Sequence, residues 1–238
     1  RTHSLHGLMR NAELRALVGG LERLPSVSAS YLELTQAIAR PDVSSLEIAA
    51  IIERDTAMAI KVLQLANSAY FGPARRLDSI RQAVVVLGTS LLQALALSTQ
   101  VFGMLGDAPL QEYGLENLQD DALLTAQLSR RFLASSGCGD EGFTTGLIQN
   151  AGRIVLSIGV PDRYREVAHR VRLSHAPLPL VEYEAFGVSH AEVGAYLLSI
   201  WGLPASIIEA VAFHHDPGGV LHDDIDLVAA AHVADALV

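Results

Sequence analysis

Apolar residues recur at helical spacing along almost the whole chain. Leu14, Leu17, Val18 and Leu21 mark one amphipathic face and Val27, Tyr31, Leu34 and Ile38 the next, with Pro25 and Pro41 as breaks. Ser44-Ser-Leu-Glu47 reads as a capping box opening a third helix, and Thr56 to Asn67 is apolar on most sides, as a buried fourth would be. Val84-Val-Val-Leu87 has strand propensity, but Ile80, Ala83, Val84 and Leu87 keep the helical period from Ser79 to Gly88. No strand is required.

A mixed polar stretch from Gly106 to Gly114 interrupts this pattern and predicts a boundary near residue 110. Beyond it, helices are expected over Leu115 to Ser135, Thr144 to Ile158, Pro161 to Ser174, Leu180 to Phe186, Ser189 to Ile200, Pro204 to His214 and Asp226 to the end. Ser189-His-Ala-Glu192 is a second capping box, and Gly202-Leu-Pro204 a stop and restart. The expected fold class is all-α in two helical lobes, residues 1–110 and 111–238.

Half of the 238 residues are hydrophobic, enough for a sizeable core. With 17 Lys+Arg against 26 Asp+Glu, the net charge of −9 opposes nonspecific attraction to nucleic acid or anionic membrane, so neither is an expected direct partner. The single cysteine, Cys138, excludes an intrachain disulfide and fits a reducing compartment, so cytoplasm is expected. Its glycine neighbours suggest a loop, with no adjacent histidine or cationic cluster to activate a thiolate. Gln82 to Gly106 carries no charge and has the length to cross a bilayer. Gly88 and interspersed Ser, Thr and Gln favour two buried helices there instead. No secretory signal precedes the first helix, and the chain opens on Arg1, as an excised region with flanking domains elsewhere would.

Several segments together resemble an HDOD domain: Leu24-Pro25, Ile51-Ile-Glu-Arg-Asp55, Lys61-Val-Leu-Gln-Leu-Ala-Asn-Ser-Ala-Tyr-Phe-Gly72, Ile80-Arg-Gln-Ala83, Leu87-Gly88, Gly194-Ala-Tyr-Leu197, Trp201-Gly-Leu-Pro204 and His214-His215. The likeness runs from about Leu14 to the C-terminus. It implies an N-terminal helical lobe joined to a bundle related to the HD phosphohydrolases. Members of that family are bacterial signalling and regulatory proteins, often attached to receiver, cyclic-dinucleotide or kinase modules. Such modules, or other proteins, are the partners implied; the oligomeric state is left open.

Active HD relatives hold one or two metals with an early histidine, a His-Asp pair, later histidines and a final aspartate. On that pattern the early histidine falls near Asp120-Asp121, and Gln149-Asn150 stands where the pair belongs, within Thr145-Gly-Leu-Ile-Gln-Asn-Ala-Gly-Arg-Ile-Val-Leu156. His190, His214 and His215 match later histidines, and Asp235 in His232-Val-Ala-Asp235 the closing aspartate. A carboxamide is a neutral oxygen donor that suits no tight transition-metal site, so no metal and no cofactor are expected. The resemblance thus implies a signal-transduction domain without catalysis, its metal site degenerate. The alternatives are a divergent metal-dependent phosphohydrolase acting on a nucleotide second messenger, and a small-ligand sensor using the residual histidine pocket.

The remaining polar residues have two readings each. His190 either belongs to that pocket or follows a capping serine, and His214-His215 either line it or end a helix whose dipole favours imidazolium. His232 and Asp235, three apart, form either a carboxylate-oriented imidazole or a surface ion pair. Asn67-Ser68 is a candidate interaction site or a polar turn that bonds local backbone. Arg75-Arg76, the one compact basic spot, contacts a phosphate or an acidic partner, or is a solvated loop.

Overall fold

The computed structural model describes residues 12–19, 26–71, 76–219 and 226–238, and within them every regular element is helical, as expected. The chain divides into two compact units, Ser26–Gly103 and Met104–Val238, with the described residues 12–19 grouped with the second. The division therefore differs from a cut at residue 110. Helix α1 (Ala12–Gly19) buries Leu14 and Val18 and packs on α13 (His190–Ile200), so the first amphipathic stripe serves the C-terminal core.

The unit Ser26–Gly103 holds α2 (Ala29–Ile38), α3 (Ser45–Arg54), α4 (Thr56–Ala66), α5 (Ile80–Leu87) and α6 (Thr89–Gly103). Side chains close the exposed N–H groups at four helix starts. Ser28 accepts from Tyr31, Ser44 from Glu47, Asp55 from Met58 and Ser79 from Gln82, at 3.0 to 3.3 Å. Only half of the first expected capping box is present, because the Glu47 carboxylate turns away to pair with Arg40. Gly88, at φ +79°, ends α5 and separates it from α6, so the uncharged stretch makes two helices. Among the described residues no helix is long and apolar enough to cross a membrane.

Asn67 is spent on backbone. Its Nδ2 donates to the carbonyls of Leu63 and Leu77 at 2.9 Å each, and its Oδ1 accepts from Leu77 N–H at 2.7 Å. It staples the end of α4 to the start of the next segment, which seats Leu77 in the core. The Ser68 hydroxyl is buried beside it with no hydrogen-bond partner. Arg76 is exposed, and Arg75 lies outside the described residues.

The unit beyond Met104 contains α7 (Leu110–Tyr113), α8 (Leu118–Phe132), α9 (Gly139–Ile148), α10 (Ala151–Gly159), α11 (Pro161–Ser174), α12 (Leu178–Phe186), α13, α14 (Ala205–Phe213) and α15 (Leu227–Ala236). The single helix expected over Thr144 to Ile158 is two. Gln149 ends α9, and Asn150 sits in the bridge region at φ −89°, ψ 11°, a conformation asparagine tolerates.

Two glycine contacts set the packing that matters. A Cβ on Gly146 of α9 would lie 2.8 Å from Ala126 backbone atoms of α8. A Cβ on Gly152 of α10 would lie 1.9 Å from the His190 carbonyl oxygen and 2.7 Å from Gly194 N. Helices α10 and α13 are thus in backbone contact, and the start of α13 comes directly under the α9–α10 break. Gly152→Ala should destabilise the chain by more than about 3 kcal/mol or leave it insoluble. The same change at Gly218, where a Cβ meets nothing within 4 Å, should be near neutral. Chemical denaturation of both variants checks this. Asn67→Ala should cost about 2 to 3 kcal/mol by the same measurement, because three backbone bonds are lost together.

Candidate functional site

The helix ends of the second unit converge on one polar cluster. Gln149 ends α9, His190 opens α13, His214 and His215 follow α14, and Asp235 lies on α15. Gln149, His190 and His214 are buried, whereas His215 keeps 29% and Asp235 26% side-chain exposure. The second capping box holds α13 in place: the Glu192 carboxylate accepts from Ser189 N–H at 2.9 Å.

Gln149 Nε2 donates to Asp235 Oδ1 at 2.6 Å. On the other side, His190 Nδ1 faces Glu182 Oε2 at 2.6 Å, and the same oxygen accepts from His190 N–H at 2.8 Å. His190 Nε2 lies 3.0 Å from His215 Nε2, and His215 Nδ1 is 3.8 Å from Asp235 Oδ2. His214 Nδ1 donates to the Val211 carbonyl at 2.7 Å, and His232 Nδ1 to the His214 carbonyl at 2.7 Å. One polar chain thus runs Glu182, His190, His215, Asp235, Gln149. His214 lies beside it, its ring centre 3.9 Å from that of His215 and its plane tilted by 41°.

Two sequence readings change here. His232 binds the carbonyl at the end of α14 in place of Asp235, so the three-residue spacing makes no pair. The helix-end histidines are not imidazolium: burial, the largest influence on each, drives His190 and His214 down to about 3 and also lowers His215. Desolvation therefore outweighs the dipole. Asp121 is exposed near Asp235 and Arg153, and Asp120 is exposed beside it. Asn150 shapes the chain turn through its backbone, accepting from Arg153 N–H at 3.0 Å.

Glu182 and Arg153 belong to the cluster and were not among the expected site residues. Glu182 is fully buried, and desolvation pushes its carboxyl up to about 7 against the pull of the His190 N–H and Arg153. Burial works against the charge of Arg153, but Tyr164, Glu182 and Asp235 outweigh it. The guanidinium donates to the Gly114 carbonyl at 2.7 Å and to Tyr164 Oη at 3.4 Å. Both residues had a signal in the sequence. Glu182 occupies a core-facing position beside Val181 and four before Phe186, and Arg153 is flanked by Ala151, Gly152, Ile154, Val155 and Leu156.

The model for the HDOD domain matches residues 24–217, so the chain belongs to the HDOD family. An uncharacterized protein of Treponema pallidum (strain Nichols) is 27% identical over 227 residues, covering 91% of this chain and 44% of its own length. The chain thus spans less than half of that curated relative. A Geobacter sulfurreducens HDOD domain protein of unknown function superposes with a TM-score of 0.81 at 25% identity, over 98% of this chain and 78% of that one. A Shewanella amazonensis protein provisionally named a phosphohydrolase gives 0.79 at 22% identity, over 96% and 81%. A Marinobacter aquaeolei VT8 protein provisionally named for signal transduction gives 0.73 at 21%, over 97% and 55%.

An HD-type metal can be tested against these side chains. The Asp121, Gln149, Asn150, Asp235 half does not fit: an amide N–H already occupies Asp235 Oδ1, where a cation would stand. The histidine half does offer ligands, since one ring nitrogen from each of His190, His214 and His215 lies within 4.8 Å of the others.

The buried imidazoles make folding pH-dependent. His190, His214 and His215 all have folded pKa values below 6.5, so the unfolded chain gains protons first as pH falls and stability drops. Glu182 acts oppositely: raised from 4.5 to about 7, it favours folding below 4.5 and loses that contribution as pH rises through 7. Three groups outweigh one. Urea unfolding in chelator between about pH 5 and 6 should show stability rising by more than the roughly 1.4 kcal/mol per unit due to one proton.

Proposed function

We propose that this chain is a bacterial signal-transduction domain without catalysis, relaying signals through protein contacts in the cytoplasm. The observation that carries this reading is the Gln149 to Asp235 hydrogen bond at 2.6 Å. Hydrolysis of a phosphate ester on this scaffold needs ions that activate water and clamp the reacting oxygens. A neutral amide holding the last aspartate offers neither charge nor a site for such an ion. Membership of the HDOD family and the fold shared with a protein named for signal transduction support the same reading. So does the length of the curated relative, more than half of which lies outside the matched region and offers room for attached receiver, cyclic-dinucleotide or kinase modules.

In this reading an attached sensor changes state, and the helical body passes the change to an output partner. Exposed Arg76 is a candidate contact of that kind, while the backbone bonds of Asn67 favour a structural role. The competing reading, a phosphohydrolase, draws on the histidine cluster.

The purified chain, assayed with bis(p-nitrophenyl) phosphate and cyclic dinucleotides in the presence of manganese, should show no turnover above a His190→Ala control. Metal-dependent turnover that vanishes in the control would replace the relay with the hydrolase. A ligand-sensing pocket would instead reveal itself through thermal stabilisation by a nucleotide that His190→Ala abolishes.

A further inference from the structure

The histidines of the cluster are arranged as ligands are, and this goes beyond the relay reading. A metal-binding imidazole needs its second nitrogen tied to an acceptor, which fixes the tautomer and aims the free lone pair. His190 Nδ1 has the Glu182 carboxylate at 2.6 Å, and His214 Nδ1 the Val211 carbonyl at 2.7 Å. Both rings therefore turn Nε2, as a lone pair, away from those acceptors. His214 Nε2 is buried without a hydrogen-bond partner, and a buried lone pair costs free energy unless a donor or a cation engages it.

His215 completes the set. Its Nε2 donates to the His190 Nε2 lone pair across 3.0 Å, and its Nδ1 lies 3.8 Å from Asp235 Oδ2. Moving that proton from Nε2 to Nδ1 points it at Asp235 and frees a third lone pair, with no change in net charge. Nitrogens bound to one tetrahedral ion at about 2.0–2.1 Å lie roughly 3.3 Å apart. The pair at 3.0 Å needs only a small opening.

We propose that His190, His214 and His215 bind a single borderline transition-metal dication, such as zinc or cobalt, with Glu182 as the residue that positions His190. This departs from the expectation of no metal and differs from a two-ion HD centre. The carboxylate half remains closed by Gln149, so one ion binds and no bridging carboxylate joins a second. The ion ties the start of α13 to the end of α14, and a fixed pair of helix ends is what a relay body would vary.

The whole chain, stripped with chelator and titrated with cobalt(II), should take up one equivalent and develop the visible absorption of a four- or five-coordinate site. Zinc should displace the cobalt and raise the melting temperature. His215→Ala, a change at the partly exposed member that leaves the buried rings in place, should weaken binding at least 100-fold while retaining the helical circular dichroism. Glu182→Gln should keep the stoichiometry and lower affinity roughly 10- to 100-fold. No cobalt uptake at 100 µM, two equivalents per chain, or uptake unaffected by His215→Ala overturns the proposal. None of these readings depends on turnover, so the metal site and the non-catalytic role stand or fall separately.

Discussion

The contact between α10 and α13 at Gly152 is the constraint on which the site depends. No side chain fits there, because the His190 carbonyl oxygen occupies the position a Cβ would need. That approach fixes His190 one turn from the α9–α10 break. It brings Gln149 and Arg153, which flank the break, to the same place as the first residue of α13. The capping box at Ser189 then orients the start of α13, and Glu182 locks the His190 ring from below. Backbone packing places these groups; hydrogen bonds only orient them.

Once assembled, the cluster has an electrostatic problem that a metal centre would solve with cations. Glu182 is fully buried and Asp235 half-buried, and nearby Asp121 adds a third carboxylate. Two devices in the chain replace positive charge. Arg153 supplies a guanidinium facing Glu182 and Asp235, and Gln149 supplies an N–H to Asp235. Neither leaves the cluster saturated. Gln149 Oε1, Glu182 Oε1 and His214 Nε2 are all buried without hydrogen-bond partners.

Helical periodicity was sufficient for the fold class and for most helix positions, since one apolar face per helix is what each buries. It failed at Gln149-Asn150, where both residues are compatible with a helix interior and only the α10–α13 contact decides that the chain bends. It failed again for α1, whose apolar stripe is plain but whose partner helix, far away in sequence, is not. The histidines and Asp235 were legible as matches to a motif. Their protonation was not, because His214 and His215 look like dipole-stabilised cations until burial is known. Glu182 escaped notice because no motif contains it, although a lone carboxylate on the buried face of an apolar helix demands a partner.

The same burial acts on two unlike halves of the cluster. On the Asp235 side, Gln149 presents a donor where a His-Asp pair would present lone pairs, so the aspartate receives an N–H. On the His190 side, acceptors hold His190 and His214 by the nitrogens a ligand does not use. Hydrolysis of a phosphate ester needs charge on both sides of the phosphate, and the Asp235 side offers an N–H in place of an ion. A buried set of neutral imidazoles joining α13 to α14 is costly as packing alone and becomes intelligible if the state of those helix ends is what the domain transmits.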